Sequence, residues 1–179
     1  MDDAREIATF LVRHGLVLAT AESCTAGLMA SRIAEVSGSG KSLCLAIVTY
    51  APEAKTGVLD VAQDLIDRHG LTSEPVSLAM ARGVLRLCKA DIAVANTGVA
   101  DDGAQDDTPA GTQCFAWIFR MPGTTETLVE FSDTRRFRGD RNAVRGAAAD
   151  WGLLRIPHYY TLAHRQTGVG HNELEERRK

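Results

Sequence analysis

Apolar positions along the chain change period several times, and each change marks an element. In residues 4–14, Ile7, Ala8, Phe10, Leu11 and His14 recur at helical spacing and Gly15 stands where a C-cap belongs, so a first amphipathic helix is predicted. A strand follows at 16–20. Past the small polar turn at 21–24, Leu28, Met29, Ile33 and Val36 suit one face of a helix over about 24–35, which Ser37-Gly38-Ser39-Gly40 ends. The next strand is expected over 43–50, with short helices over 52–58 and 62–69. Thr72-Ser73-Glu74-Pro75 offers an N-cap and an early proline for a helix running to about Lys89. Residues 91–96 read as a third buried strand. Residues 97–111 hold three glycines and four aspartates with neither period, and a loop of that length is usually functional or mobile. Residues 112–119 and 126–132 flank a turn at 120–125 and predict an antiparallel hairpin. Asp140 is placed to cap a last helix reaching about Leu154.

Strands alternating with helices predict an α/β fold, a three-layer α/β/α sandwich whose mixed, mainly parallel sheet carries an antiparallel hairpin. Its 179 residues suit one domain over 1–157. The tail 158–179, with the aromatic patch His158-Tyr159-Tyr160 and the end NELEERRK, is expected to be partly disordered or docked late. Phe115, Trp117 and Phe119 alternate onto one strand face, which either helices of the same chain or a homo-oligomer would cover.

A net charge of −3 gives no global basic field, so a nucleic-acid partner is disfavoured. The four cysteines stand singly without CxxC spacing, and three lie in apolar runs, as reduced thiols in an intracellular protein do. The first residues lack the pattern of a signal peptide, and no apolar run approaches the ~20 residues that span a bilayer. A cytoplasmic protein without a membrane partner is expected.

Candidate chemistry gathers in residues 16–55, where a strand, a small turn, a helix and a second strand bring Ser23, Tyr50 and Lys55 toward one sheet edge. Ser23, Cys24 and Thr25 fall where strand becomes helix, and backbone N–H groups there attract an anion. Ser23 or Thr25 also suits plain helix capping. None of the five histidines is placed to serve a serine, and no Gly-x-Ser-x-Gly elbow exists. Lys55 would act as base if burial lowers its pKa; otherwise it is an ordinary surface lysine. Cys24 is a rival thiol nucleophile at the same helix start. Gly38-Ser39-Gly40-Lys41-Ser42 imitates the end of a phosphate-binding loop, but Glu35 stands where that motif needs glycine, so it reads as a linker.

Four linked segments carry a resemblance: Thr20-Ala21-Glu22-Ser23-Cys24-Thr25-Ala26-Gly27, then Ile47 to Lys55, then Thr97-Gly98-Val99-Ala100 continuing to Thr108-Pro109-Ala110-Gly111-Thr112, then Phe137 to Arg145. Over about residues 5–155 the chain resembles the C-terminal domain of the competence/damage-inducible protein CinA, whose stand-alone members are nicotinamide-nucleotide amidohydrolases (NMN deamidases) of the pyridine nucleotide cycle. The resemblance implies Ser23 as nucleophile, Lys55 as general base and Tyr50 as a relay or positioning group. It implies Thr25, Thr97, Gly98 and Arg141 as substrate-site residues. The implied reaction hydrolyses nicotinamide mononucleotide to nicotinate mononucleotide and ammonia, with no metal and no other cofactor, through an oxyanion held by amides at the start of the 24–35 helix.

The loop after Thr97 departs from that family, whose Gly-Pro-Gly-Gly run is replaced by Ala100-Asp101-Asp102-Gly103-Ala104-Gln105-Asp106-Asp107. Aspartates facing inward would repel a mononucleotide, whereas aspartates facing solvent would leave binding intact. The alternative function is therefore a diverged, CinA-like binding or regulatory module without deamidase activity. A third reading has Asp101, Asp102, Asp106 and Asp107 holding a divalent cation for phosphoester hydrolysis.

Overall fold

The computed structural model describes residues 2–101, 108–121 and 127–168. Strands β1 (Leu18–Glu22), β2 (Leu43–Val48), β3 (Ile92–Gly98), β4 (Thr112–Met121) and β5 (Thr127–Arg136) form one sheet in the order β2-β1-β3-β4-β5. β1 pairs in parallel with β2 and β3, while the β3/β4 and β4/β5 pairings are antiparallel. The C-terminal ends of β1, β2 and β3 and the start of β4 therefore share one edge, where Glu22 lies opposite both Val48 and Asn96, and Gly98 opposite Gln113.

Side chains alternate across the strands and give the two faces different characters. Leu18, Ile92, Val94, Phe115, Trp117 and Phe119 point to one face, under α1 (Asp2–His14), α2 (Leu28–Ala34), α6 (Arg141–Leu154) and α7 (Ile156–Thr167). Ala19, Ala21, Ala93, Ala95 and Ala116 point to the other, under α3 (Pro52–Leu59), α4 (Gln63–His69) and α5 (Glu74–Leu87). Small residues let α5 lie close to the sheet, and Gly83 lets it lie close to α3. A Cβ at Gly83 would stand 2.4 Å from the Leu59 carbonyl oxygen.

The bulky face is closed from within the chain. Trp117 Nε1 donates to the Gly152 carbonyl at 2.7 Å, and Tyr159 lies against both Trp117 and Phe131 with ring centroids 4.5 and 4.8 Å apart. The Phe115, Trp117 and Phe119 stripe thus faces α6 and α7.

Most element positions match the hydrophobic pattern, and two of the differences have plain physical causes. β1 runs to Glu22, past the expected end at residue 20. α2 begins at Leu28, four residues later than expected, because Ala26 and Gly27 take left-handed φ of 50° and 91° and cannot lie in a right-handed helix. The expected boundary at 157 falls inside a structured element, since Pro157 sits in the first turn of α7, where a missing N–H costs nothing. The segment read as a phosphate-loop mimic is a single 3-10 turn at Ser39–Lys41. Residues 122–126, which include most of the turn expected at 120–125, together with residues 102–107 and 169–179, lie outside the described residues.

Candidate active site

Ser23 follows β1 directly and is held before any helix begins. Its N–H donates to the Asn96 carbonyl at 2.9 Å, Ala26 N–H returns to the Ser23 carbonyl at 3.1 Å, and Leu28 N–H to the Thr25 carbonyl at 3.1 Å. The chain thereby folds into successive tight turns between β1 and α2, with Ser23 only 8% exposed.

The amides at the start of α2 are already in use. The fully buried Glu22 carboxylate accepts from Gly27 N at 2.9 Å and Met29 N at 3.1 Å with one oxygen, and from Ala30 N and Thr20 Oγ1 at 3.0 Å with the other. This carboxylate meets the orphan donors and the positive end of the helix together. The expectation that these amides hold an oxyanion is corrected accordingly. The Cys24 N–H, one residue after Ser23, has no partner among the described residues and is the remaining backbone donor of that turn.

Three side chains brace the same turn from β3, β4 and α6. Asn96 accepts from Thr25 N at 3.2 Å and donates to Gln113 Oε1 at 3.0 Å. Gln113 Nε2 in turn donates to Cys24 Sγ at 3.3 Å and to the Val99 carbonyl at 3.0 Å. Arg145 donates through Nε to the Cys24 carbonyl at 3.0 Å and through Nη2 to the Thr25 carbonyl at 3.4 Å. Each of these polar groups is satisfied, as polar groups inside a core must be.

Lys55 comes to Ser23 from the neighbouring strand. Thr49 N donates to the Glu22 carbonyl at 2.8 Å and extends the β1/β2 pairing, after which extended Ala51 and Pro52 turn the chain into α3. Lys55 is 2% exposed, and its Nζ donates to Ser23 Oγ at 2.9 Å and to the Thr49 carbonyl at 2.8 Å. Burial pushes its pKa down to about 8, with Glu53 pulling weakly the other way.

Tyr50, implied as a relay or positioning group, lies just past the end of β2 and meets Arg141. It is 55% exposed, and its hydroxyl accepts from Arg141 Nη2 at 2.5 Å; no hydrogen bond joins it to Ser23 or Lys55. Arg141 also donates through Nη1 to Asp101 Oδ2 at 2.7 Å. Tyr50, Arg141 and Asp101 thus form a second cluster, close enough that both charges act on the Cys24 thiol.

The other residues implied for the substrate site, Thr25, Thr97 and Gly98, lie around the same sheet edge. Thr25 is fully buried with its hydroxyl unpartnered among the described residues, and Thr97 Oγ1 donates to the Leu71 carbonyl at 2.9 Å, tying β3 to the loop before α5. Gly98 makes room for Gln113, whose amide would lie 2.4 Å from a Cβ there. Cys24 is buried, and desolvation raises its thiol pKa despite the Gln113 bond, which disfavours a thiolate nucleophile. No cluster of His, Cys, Asp or Glu suited to a metal occurs among the described residues; Asp101 is engaged by Arg141, and Asp102, Asp106 and Asp107 lie outside them.

Sequence reasoning assigned no role to Glu22, Asn96, Gln113 or Arg145. A signal existed for the first two, since each is a polar residue near the C-terminal end of a largely apolar strand. Nothing local marks Gln113 or Arg145, whose partners lie 89 and 121 residues away.

The CinA C-terminal domain family matches residues 2–159 of the chain. A CinA-like protein of Geobacter sulfurreducens is 40% identical over 155 residues, covering 84% of this chain and 36% of its own length. The chain spans only 32–37% of the length of such relatives. Among solved structures, the competence damage-inducible protein A of Klebsiella pneumoniae superposes with a TM-score of 0.81 at 34% identity, covering 91% of this chain and 96% of that one. A competence-damaged protein (CinA) superfamily protein from Escherichia coli gives 0.78 at 31% identity, with 86% of each chain covered. No helix of the described residues is long and apolar enough to cross a membrane.

Proposed function

The chain belongs to the CinA C-terminal domain family, and from that premise we propose that it is a nicotinamide-nucleotide amidohydrolase, converting nicotinamide mononucleotide to nicotinate mononucleotide and ammonia. The observation that carries this reading is the 2.9 Å contact between Ser23 Oγ and the Nζ of buried Lys55, whose pKa lies at about 8. A buried lysine with that pKa can exist as a neutral amine near neutral pH and can then accept the serine proton.

In the first step Ser23 Oγ bonds to the carboxamide carbon while its proton passes to Lys55 Nζ. The tetrahedral oxyanion is met by the Cys24 N–H, a donor of the kind worth ~3 kcal/mol at a transition state. Collapse breaks the C–N bond, and the Lys55 proton goes to the leaving amide nitrogen, which departs as ammonia. In the second step water gives its proton to Lys55 and attacks the ester carbonyl, releasing the carboxylate and returning the proton to Ser23. No residue other than Ser23 and Lys55 changes covalent or protonation state.

The test is ammonia released from nicotinamide mononucleotide by wild type and by Ser23→Ala. Release that depends on Ser23 is expected; release that survives Ser23→Ala, or none from wild type, overturns the proposal. The second reading, a binding or regulatory module without turnover, draws support from the Asp101–Arg141 ion pair, because a carboxylate already engages the arginine implied for the substrate site. Mononucleotide binding by calorimetry without ammonia release would favour it.

A further inference from the structure

Arg141 stands in the first turn of α6, and both of its terminal nitrogens are in use: Nη1 donates to Asp101 and Nη2 to the Tyr50 hydroxyl. The N–H groups of Asn142 and Ala143, which would otherwise offer an anion the positive end of α6, both donate to the Asp140 side chain at 2.9 Å. Arg145, the next cation, is committed to the Cys24 and Thr25 carbonyls and to Asn142. Arg141, Arg145 and the first amides of α6 are therefore all engaged by protein oxygens, the Asp101 and Asp140 carboxylates among them.

A phosphate monoester carries between one and two negative charges near neutral pH and competes for the guanidinium fork that Asp101 holds. For its phosphate to reach Arg141, the Asp101 bond must open, and the displaced carboxylate then stays nearby as a like charge. A neutral ribose hydroxyl meets no such conflict, because Asp101 can accept from it while remaining beside Arg141.

We infer that Asp101 is a specificity-determining residue, which lowers the site's selectivity for the phosphorylated mononucleotide relative to the dephosphorylated nucleoside or a comparably uncharged heteroaryl carboxamide. The inference rests on the amidohydrolase reading for the identity of the reacting amide. Because Asp101 and Arg141 are half-exposed, with side chains 50% and 47% accessible, water screens the pair, and the bias is set at about tenfold rather than the thousandfold a buried pair would give.

The experiment compares nicotinamide mononucleotide with nicotinamide riboside as the ratio of their kcat/KM values, read by ammonia release, for wild type, Asp101→Asn, Arg141→Ala and the double variant. Asp101→Asn is expected to raise the mononucleotide-to-riboside ratio at least about tenfold, and the rise is expected to vanish when Arg141 is already alanine. A ratio that stays level or falls overturns the inference, as does a rise that persists without Arg141. A phosphate seated elsewhere, over the exposed Arg138 for instance, would produce the level ratio. Asp101→Ser serves as a second variant, and thermal melts confirm that each protein folds. Calorimetry with the same two compounds on Ser23→Ala protein separates the two claims. If no variant releases ammonia, the hydrolase reading fails, and the Kd ratio alone decides: tighter mononucleotide binding in Asp101→Asn supports the inference, while no tightening or no binding refutes it.

Discussion

Lys55 joins the proposed catalysis and stability in one side chain. With a pKa of about 8, roughly one molecule in ten has it neutral at pH 7, against fewer than about one in a thousand for an ordinary lysine. On the proposed chemistry, kcat/KM rises with pH below about 8 and levels above it, as a pH profile of ammonia release would show. Because the folded pKa lies below the unfolded value of about 10.4, the unfolded chain binds the extra proton between them, and wild-type stability rises with pH across that window. Lys55→Met is expected to abolish activity yet gain about 1–3 kcal/mol at pH 7, less than the full cost of the buried ammonium because the Thr49 carbonyl loses its donor. Urea denaturation at pH 7 and pH 10 checks this, with the gain shrinking at the higher pH. That Ser23 and Lys55 approach one sheet edge was legible, because Ser23 directly follows β1 and Lys55 stands on the helix after β2, both strands with plain apolar runs. The partner of Tyr50 was not, since Arg141 comes from an element 91 residues later.

At the scale of the element, the start of α2 shows how a local pattern misleads. Apolar spacing places its buried face correctly at Met29 and Ile33, yet the helix opens at Leu28 because its cap is Glu22, on the preceding strand, which accepts amides five to eight residues ahead. The chain reaches that cap only by passing through left-handed Ala26, a conformation that costs an L-residue about 1–2 kcal/mol. Ala26→Gly removes that strain and adds back part of it as unfolded-chain entropy, so a net gain of about 0.5–1 kcal/mol is expected in chemical denaturation. A loss of stability would show that the Ala26 methyl packs more than it strains. Caps written into the adjacent sequence were easier to read: Ser73 accepts from Val76 N, and Asp140 from Asn142 N and Ala143 N.

Across the whole molecule, the strand and helix alternation was enough to establish the layers, and the C-terminal segment was where reading by composition fell short. Pro157 suggested an end, but Ile156, Tyr159, Tyr160, Ala163 and His164 repeat at helical spacing and are all buried. The helix they form covers Trp117 and Phe131, so the chain cut after Leu154 is expected to expose a contiguous aromatic face and to lose several kcal/mol, about 1.5–3 for each large side chain uncovered. Lower thermal stability and self-association in light scattering would show it; unchanged melting would mean that α7 is dispensable.

The bond from Arg145 to the Cys24 carbonyl spans 121 residues and has a consequence in time. A chain still emerging from the ribosome owns Ser23 and Lys55 early, yet it lacks the strand and helix that hold the serine turn in shape. Refolding followed by activity should therefore lag refolding followed by helix content, because contacts between distant parts of a chain close last. On the proposed chemistry, a serine activated only by that final closure stays inert in an unfinished chain.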